Sequence, residues 1–256
     1  MQARYTRMPY GLYLSAAGAN AQSHRLEVLS HNLANVNTTG FKPHMAMLQS
    51  RHAEAIEDGS VLGGDGTIDD LGGGLSINAP VTQFAQGAVQ QTGNPTDFAI
   101  NDAESFFAVQ RGETQLLTRA GNFTVDSQGT LVTQQGDPVI ATGGGRVVVD
   151  VNQNFQVADD GAIIQGGTRQ TIKLVRPRET GDLSRVGENL FEPLTEVDEV
   201  QSSQRQLRSH ALESSAVKPT TAMMELIEAS RVYEANVRMI QTQDEAMGQL
   251  LGRILR

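Results

Sequence analysis

His24, Glu27 and His31 stand at i, i+3 and i+7, which on a helix sets two imidazoles and a carboxylate on one face, the donor types of a transition-metal site. Such a centre needs a third or fourth ligand and outer-shell partners, and no further donor stands near them, so surface or interface histidines are the expected reading. Asp97, Asp102 and Glu104 flank Phe106-Phe107, and paired carboxylates are the machinery of glycoside hydrolysis. Turn chemistry between strands is the commoner use of acidic residues so placed. Gly63-Gly64-Asp65-Gly66-Thr67-Ile68-Asp69 begins like one nonapeptide calcium repeat, but Ile68 occupies a ligand position and the unit is not repeated. No Walker lysine loop, strand-following G-x-G-x-x-G, H-E-x-x-H or G-x-S-x-G occurs. These residues assign no catalytic, cofactor-binding or metal-ligating role, and the expectation is a protein that is not an enzyme.

Composition narrows the classes further. The chain has 256 residues, 20 basic against 29 acidic side chains and a formal net charge of −9, so clustered phosphate contacts have no basis and nucleic acid is not an expected partner. Without cysteine, disulfides, thiolate zinc sites and thiol nucleophiles are excluded. No apolar run approaches the roughly 18 residues of a membrane span, and the N-terminus lacks the apolar core of a cleavable signal. Met1 to Arg7 form a basic tip, and Met8 is an alternative start.

The elements that must position any function are written in the glycines and the heptads. Of 26 glycines, 21 fall between Gly59 and Gly187, so the composition divides the chain into helical ends and a β-rich middle. From Leu12 the alternating three- and four-residue spacing selects Leu12, Ser15, Ala19, Gln22, Leu26, Leu29, Leu33 and Val36. In the C-terminal run it selects Met223, Leu226, Ser230, Tyr233, Val237, Ile240, Asp244, Met247, Leu251 and Ile254. Both patterns predict amphipathic helices with a narrow coiled-coil seam. A C-terminal helix from Thr220 onward would reach about 50 Å and needs a partner along its length, either the other terminal helix or neighbouring copies. Between them, turn clusters such as Arg111-Gly112-Glu113, Asp126-Ser127-Gln128-Gly129 and Gly143-Gly144-Gly145 separate short β-branched and aromatic runs, the pattern of antiparallel hairpins.

The expected fold class is α+β, with long N- and C-terminal helices pairing as a coiled-coil-like α-domain around a central, mainly antiparallel β-domain. The expected divisions are residues 1–43 for the N-terminal assembly helix and motif, 44–86 for an extended Gly/Asp-rich linker, 87–200 for the β-domain, and 201–256 for a connector and C-terminal assembly helix. Within the second of these, Glu57 to Gly74 reads as extended or mobile.

One further motif is specific. Asn32-Leu33-Ala34-Asn35-Val36-Asn37-Thr38-Thr39-Gly40-Phe41-Lys42 resembles the signature of the bacterial flagellar axial proteins, the rod and hook subunits. Gly40 can supply a left-handed C-terminal cap there, and Pro43 stops further helix. Four more blocks resemble the same family in the same order: Gly93 to Ile100 with Ser105 to Val109; Thr118-Arg119-Ala120-Gly121-Asn122-Phe123 through Pro138-Val139; Gly187-Glu188-Asn189-Leu190-Phe191; and Leu212-Glu213-Ser214 with the helix carrying Arg231, Tyr233-Glu234 and Ile240-Gln241-Thr242. The length is that of a rod rather than a hook subunit. Ala216-Val217-Lys218-Pro219 followed by Ala222-Met223 resembles the proximal-rod form, with Ala216 in place of its usual Asn. The Asn37-to-Lys42 stretch and Gly187-to-Phe191 look more like the distal form, which stays open as the alternative to the favoured proximal type.

The resemblance implies a structural subunit of the flagellar basal body, spanning the periplasm in the rod and exported through the flagellar type III apparatus without a cleavable signal. It implies helical, head-to-tail assembly with other copies and with other rod and hook proteins, and neither cofactor nor membrane span. The assembly interface would be carried by Leu12, Ala19, Leu26, Leu29, Leu33, Val36, Met223, Leu226, Tyr233, Val237, Ile240, Met247, Leu251 and Ile254. A calcium-binding or wall-cleaving accessory built on the β-domain is the competing class.

Overall fold

The structure, a computed structural model, describes residues 10–51, 74–150, 155–158, 161–187 and 189–254. The Gly63 to Asp69 motif, Met1 to Met8, nearly all of Glu57 to Gly74, Glu188 and the side chain of Ile254 lie outside the described residues. The class is α+β, with one helix at each end and antiparallel strands between them. The chain divides into two compact units, Met1–Ala34, His44–Thr82 and Pro219–Arg256 in the first, Asn35–Pro43 and Gln83–Lys218 in the second.

The first unit holds helix α1 (Tyr10–Ala34), helix α2 (Pro219–Ile254) and a two-stranded antiparallel ladder, His44–Arg51 against Gly74–Thr82. A Cβ added at Gly11 would stand 3.1 Å from the Gln243 amide, and one at Gly18 would stand 3.1 Å from Asn236 Oδ1. Seven residues up α1 match seven residues down α2, so the helices run antiparallel. α1 also lies against the ladder, since a Cβ at Gly74 would meet Tyr13 and Ala17 at about 3.5 Å. The Asn32 side chain closes this contact like a strand edge, its Nδ2 donating to His44 O at 2.7 Å and its Oδ1 accepting from His44 N at 2.8 Å. Where composition suggests a linker over 44–86, two stretches of that segment are therefore paired strands. Their partners are separated by 22 residues between Arg51 and Gly74, so no local turn cluster advertises the pairing.

α1 stops at Ala34, short of Gly40. Asn35 and Thr38 take over the local hydrogen bonding, with Thr38 N donating to Asn35 O and Thr38 Oγ1 to Asn35 Oδ1, both at 3.1 Å. Short polar side chains offer the backbone this alternative to helix, and it ends α1 before the expected glycine cap. Gly40 does take φ +64, in the turn that follows rather than as the helix cap.

The second unit is built on a six-stranded antiparallel sheet ordered Leu183–Arg185, Leu190–Pro193, Thr114–Thr118, Phe106–Arg111, Leu174–Pro177, Val197–Glu199. Both of its faces are covered, which explains why Phe106, Phe107, Ala108 and Val109 are all fully buried instead of alternating. Phe107 and Val109 join the larger cluster with Phe98, Phe123, Leu131 and Leu174. Phe106 and Ala108 join the smaller one with Leu117, Val175 and Phe191, against which Phe84 packs edge-on to Phe106 at 5.8 Å. Arg111↔Thr114 pairing leaves Gly112-Glu113 as a two-residue loop, the tight hairpin turn expected from the sequence.

Candidate assembly site

Two features can serve an assembling protein: the surface of the helices and the polar interior where the motif blocks meet. On α1, Ala19 and Leu29 are buried and Leu12, Leu26 and Leu33 half-buried, while Val36 falls beyond the end of the helix. On α2, Leu226, Val237 and Ile240 are half-buried and Tyr233 is 37% exposed. Met223 is 50% exposed because the inward stripe is rotated by one position, running Ala222, Leu226, Ala229, Tyr233, Asn236, Ile240, Gln243. Met247 and Leu251 lie on this same stripe and are exposed; both follow Gln243, which faces Gly11 next to the first described residue of α1.

The contact between the helices includes close approaches of small residues to amides. Among the described residues, the two helices bury Ser15, Ala19, Ala21, Val28, Leu29, Asn32, Ala222 and Ala229, of which only Val28 and Leu29 are large and apolar. Other large apolar side chains face outward. Met224 (64% exposed), Val232 (40%), Met239 (53%) and Leu250 (54%) form a second stripe along α2. On the ladder, Met45, Met47, Leu48, Leu75 and Val81 are exposed as well. A chain that leaves this much apolar surface on a 36-residue helix presents an interaction surface rather than a finished exterior.

Half-buried His24 and exposed Glu27 approach with Nδ1 to Oε2 at 3.7 Å, and the His31 ring packs at a tilt against His44 with centroids 5.2 Å apart. Asp97 accepts from Thr92 Oγ1 at 2.7 Å, Asp102 Oδ1 accepts from Glu104 N and Ser105 N, and Glu104 reaches Arg176 at 3.3 Å. These carboxylates close turns and pair with cations, and do not converge on a cleft.

The motif residues converge on one buried carboxylate. Glu213 Oε1 accepts from Lys42 Nζ at 2.7 Å and from Gly87 N at 2.8 Å. Its Oε2 accepts from Arg119 Nε at 2.9 Å and Nη2 at 2.8 Å. All three side chains are at most 1% exposed. The remaining donors are also taken: Lys42 Nζ donates to Ala85 O at 2.6 Å, and Arg119 donates to the carbonyls of Ser105 and Asp102. Asp102 Oδ1, 4.0 Å from Arg119 Nη1, brings the formal charge of the cluster to zero. Burial pushes the Lys42 ammonium below its ordinary pKa, against the Glu213 carboxylate, which holds the proton on.

Backbone contacts around the cluster leave no room for side chains. Gly40 N donates to Glu213 O at 2.7 Å, and a Cβ there would lie 2.5 Å from the Arg119 carbonyl carbon. Ala216 N donates to Phe41 O at 3.1 Å, so residues 40–41 and 213–216 are tied directly together. Arg185 lies 4.7 Å above the Phe41 ring and donates to Lys42 O and Asn189 Oδ1, while Asn189 Nδ2 donates to Thr39 O. Arg119 and Glu213 stand inside motif blocks with no role legible from their neighbours, because their partners lie 94 and 171 residues away. Gly11, Gly18, Asn236 and Gln243 at the helix contact are invisible to an apolar heptad count for another reason, being glycines and amides.

Comparison with known proteins falls on the same segments. Residues 12–42 match the family described as Flagella basal body rod protein, 99–165 the Flagellar hook protein FlgE/F/G D1 domain, and 208–253 the Flagellar basal body rod FlgEFG protein C-terminal. The matched segments together supply the charges of the cluster: Lys42 from the first, Asp102 and Arg119 from the second, and Glu213 from the third. The flagellar basal-body rod protein FlgF of Caulobacter vibrioides is 32% identical over 250 residues, covering 96% of this chain and 98% of its own length. FlgG of Bacillus subtilis, also a flagellar basal-body rod protein, is 30% identical over 257 residues, covering 94% of this chain and 97% of itself. The flagellar hook-basal body complex protein FlhO of Bacillus subtilis is 29% identical over 270 residues, 95% of this chain and 98% of that one. With these full-length relatives, and with helical ends joined by a β-unit whose motif blocks meet at one carboxylate, the chain belongs to the flagellar basal-body rod protein family.

Proposed function

We propose that this chain is a structural subunit of the flagellar basal-body rod that polymerises helically and head-to-tail through its terminal helices. In this reading the helices form the inner tube by coiled-coil-like packing along Leu12, Ala19, Leu26, Leu29, Leu33, Leu226, Tyr233, Val237 and Ile240. Met223, Met247, Leu251 and Ile254 meet neighbouring subunits, and the β-unit forms the outer layer. The carrying observation is the surface of α2, where Met224, Val232, Met239, Leu250 and Leu251 are each at least 40% exposed. A head-to-tail contact joins two different surfaces and so builds an open tubular array rather than a closed ring. Export through the flagellar type III channel and residence in the periplasm-spanning rod belong to the same reading.

Leu33→Asp and Ile240→Asp test it. Each places a carboxylate at a half-buried position on the helices and is expected to abolish motility while leaving the β-unit folded; normal swimming in both strains would overturn the reading. FlgF and FlgG relatives match over similar extents, and the proximal type is favoured here on Ala216-Val217-Lys218-Pro219. A deletion strain in which the distal rod fails to form supports that choice, whereas one with an intact proximal rod that ends before the hook reverses it.

A further inference from the structure

A cleft of about 270 Å³ opens on the β-unit beside the family motif. Its walls come from four stretches far apart in sequence: residues 37–39, 118–123, 133–135 and 189–190. On a chain of net charge −9, none of its lining side chains is charged, and most are amides or hydroxyls. Some of these groups are used by the fold. Thr118 Oγ1 donates to Asn189 O, Asn189 Nδ2 donates to Thr39 O, and Gln134 Nε2 donates to Asn122 O. The side chains of Asn37, Thr39, Asn122 and Gln135 make no hydrogen bond among the described residues, although Thr39 and Asn122 are half-buried. Asn37, Thr39 and Asn122 sit inside the motif blocks, so their identities serve neither the core nor the charge cluster. What they offer is a set of unused neutral donors and acceptors.

The chemistry limits the guest. An ion in this cleft would meet no opposite charge, which disfavours phosphates, carboxylates and basic segments. The volume is at the small end of the roughly 300–1,000 Å³ typical of small-molecule sites, and suits the tip of a polypeptide loop. The chain presents such a tip itself at Thr142-Gly143-Gly144-Gly145, uncharged and exposed on the same unit. We propose that the cleft receives an uncharged, hydrogen-bonding loop from a second copy of this chain, giving the β-units a polar contact of their own. The proposal rests on the assembly reading, which is what brings copies side by side.

The absence of cysteine makes the test clean, because Asn122→Cys or Gln135→Cys supplies the chain's one thiol. Each variant is labelled with a short thiol-directed photo-crosslinker and irradiated in purified basal bodies. The expected product from both positions has twice the mass of the chain. Products with a different protein, or no product although the labelled subunit is present in the basal bodies, overturn the proposal. Absence of the wild-type chain from basal bodies would instead overturn the assembly reading, so the two failures are separable.

Discussion

Replacing Glu213 by Gln keeps the shape of the side chain and removes the one buried anion that Lys42 and Arg119 share. Both cations are fully buried, and after the change only the partly exposed Asp102 carboxylate, 4.0 Å from Arg119, stands against them. The amide also turns its NH2 toward groups that are themselves donors: Lys42 Nζ and Gly87 N in one orientation, the Arg119 guanidinium in the other. Removing one partner of a buried ion pair typically costs about 3–5 kcal/mol, and two cations are orphaned here, so the upper half of that range is expected. For a unit of this size, about 2–4 °C of melting temperature is lost per kcal/mol, which puts the shift on the order of 10 °C.

Lys42→Met should cost far less. Glu213 keeps its bonds from Gly87 N and Arg119, the desolvated ammonium is gone, and mainly Ala85 O loses a donor, so about 1–2 kcal/mol is expected. The double variant should cost less than the sum of the singles, because part of the Glu213→Gln penalty is the unpaired Lys42 charge. The assay can be confined to the right unit: all eight phenylalanines, from Phe41 to Phe191, lie in the β-unit, while the four tyrosines, at 5, 10, 13 and 233, lie outside it. Thermal melts followed at the phenylalanine near-ultraviolet circular dichroism band therefore report the β-unit without the helices. If Lys42→Met proves as damaging as Glu213→Gln, or the two effects simply add, the carboxylate is not what neutralises the pair and the reasoning fails.

In dilute subunit, hydrogen exchange should find the amides of Gly40 and Ala216, bonded to Glu213 O and Phe41 O, protected with the β-unit, while α1 and α2 exchange rapidly. The expectation is that the two helices, with apolar side chains left exposed, become ordered only against neighbouring subunits, and strong protection along both in the dilute subunit would refute it. Gly121→Ala would place a Cβ 1.8 Å from Phe98 O, a backbone atom that cannot swing aside, and should cost more than about 4 kcal/mol, read as loss of the phenylalanine signal or of soluble protein. Lys42 also sets a pH dependence. Its folded pKa lies below the ordinary 10.5, so between the two values the unfolded chain holds more protons and the group adds stability as pH rises. The stability of wild type relative to Lys42→Met should therefore climb on alkalinisation toward 10.5, and a flat difference would show that burial does not dominate at this site.

The helical ends and the hairpins were legible because each leaves a local record. Leu12, Ala19, Leu26 and Leu29 carry the period of one helix face, and Arg111-Gly112-Glu113 marks a two-residue loop between paired runs. The contact between the helices left a fainter record, since Gly11 and Gly18 permit close approach without raising any apolar count. The ladder of His44–Arg51 with Gly74–Thr82 left none, as its strands meet across a long insertion. The charge cluster was present in the sequence only as three letters in separate motif blocks. Lys42, Arg119 and Glu213 individually look like surface residues, and only the fold shows that each is there for the other two.

The two units allocate their side chains differently, the β-unit holding a buried charge cluster beside its apolar core, and the difference has a physical sense. The β-unit buries charge, which tolerates one arrangement and penalises the alternatives, because any slip of residues 40–42 past 213–216 strands an ion in the interior. The helical unit exposes methionine, leucine and valine and buries alanine and serine, so little in the isolated chain fixes its arrangement, while neighbours have much to bind. Direct bonds from Gly40 N to Glu213 O and from Ala216 N to Phe41 O place the boundary between these regimes. Residues 35–43 follow α1 and residues 211–218 precede α2, and both are held with the β-unit. An assembly subunit built this way can leave its ends undecided without loosening its centre, since order begins and ends at a carboxylate whose removal should unmake both flanks together.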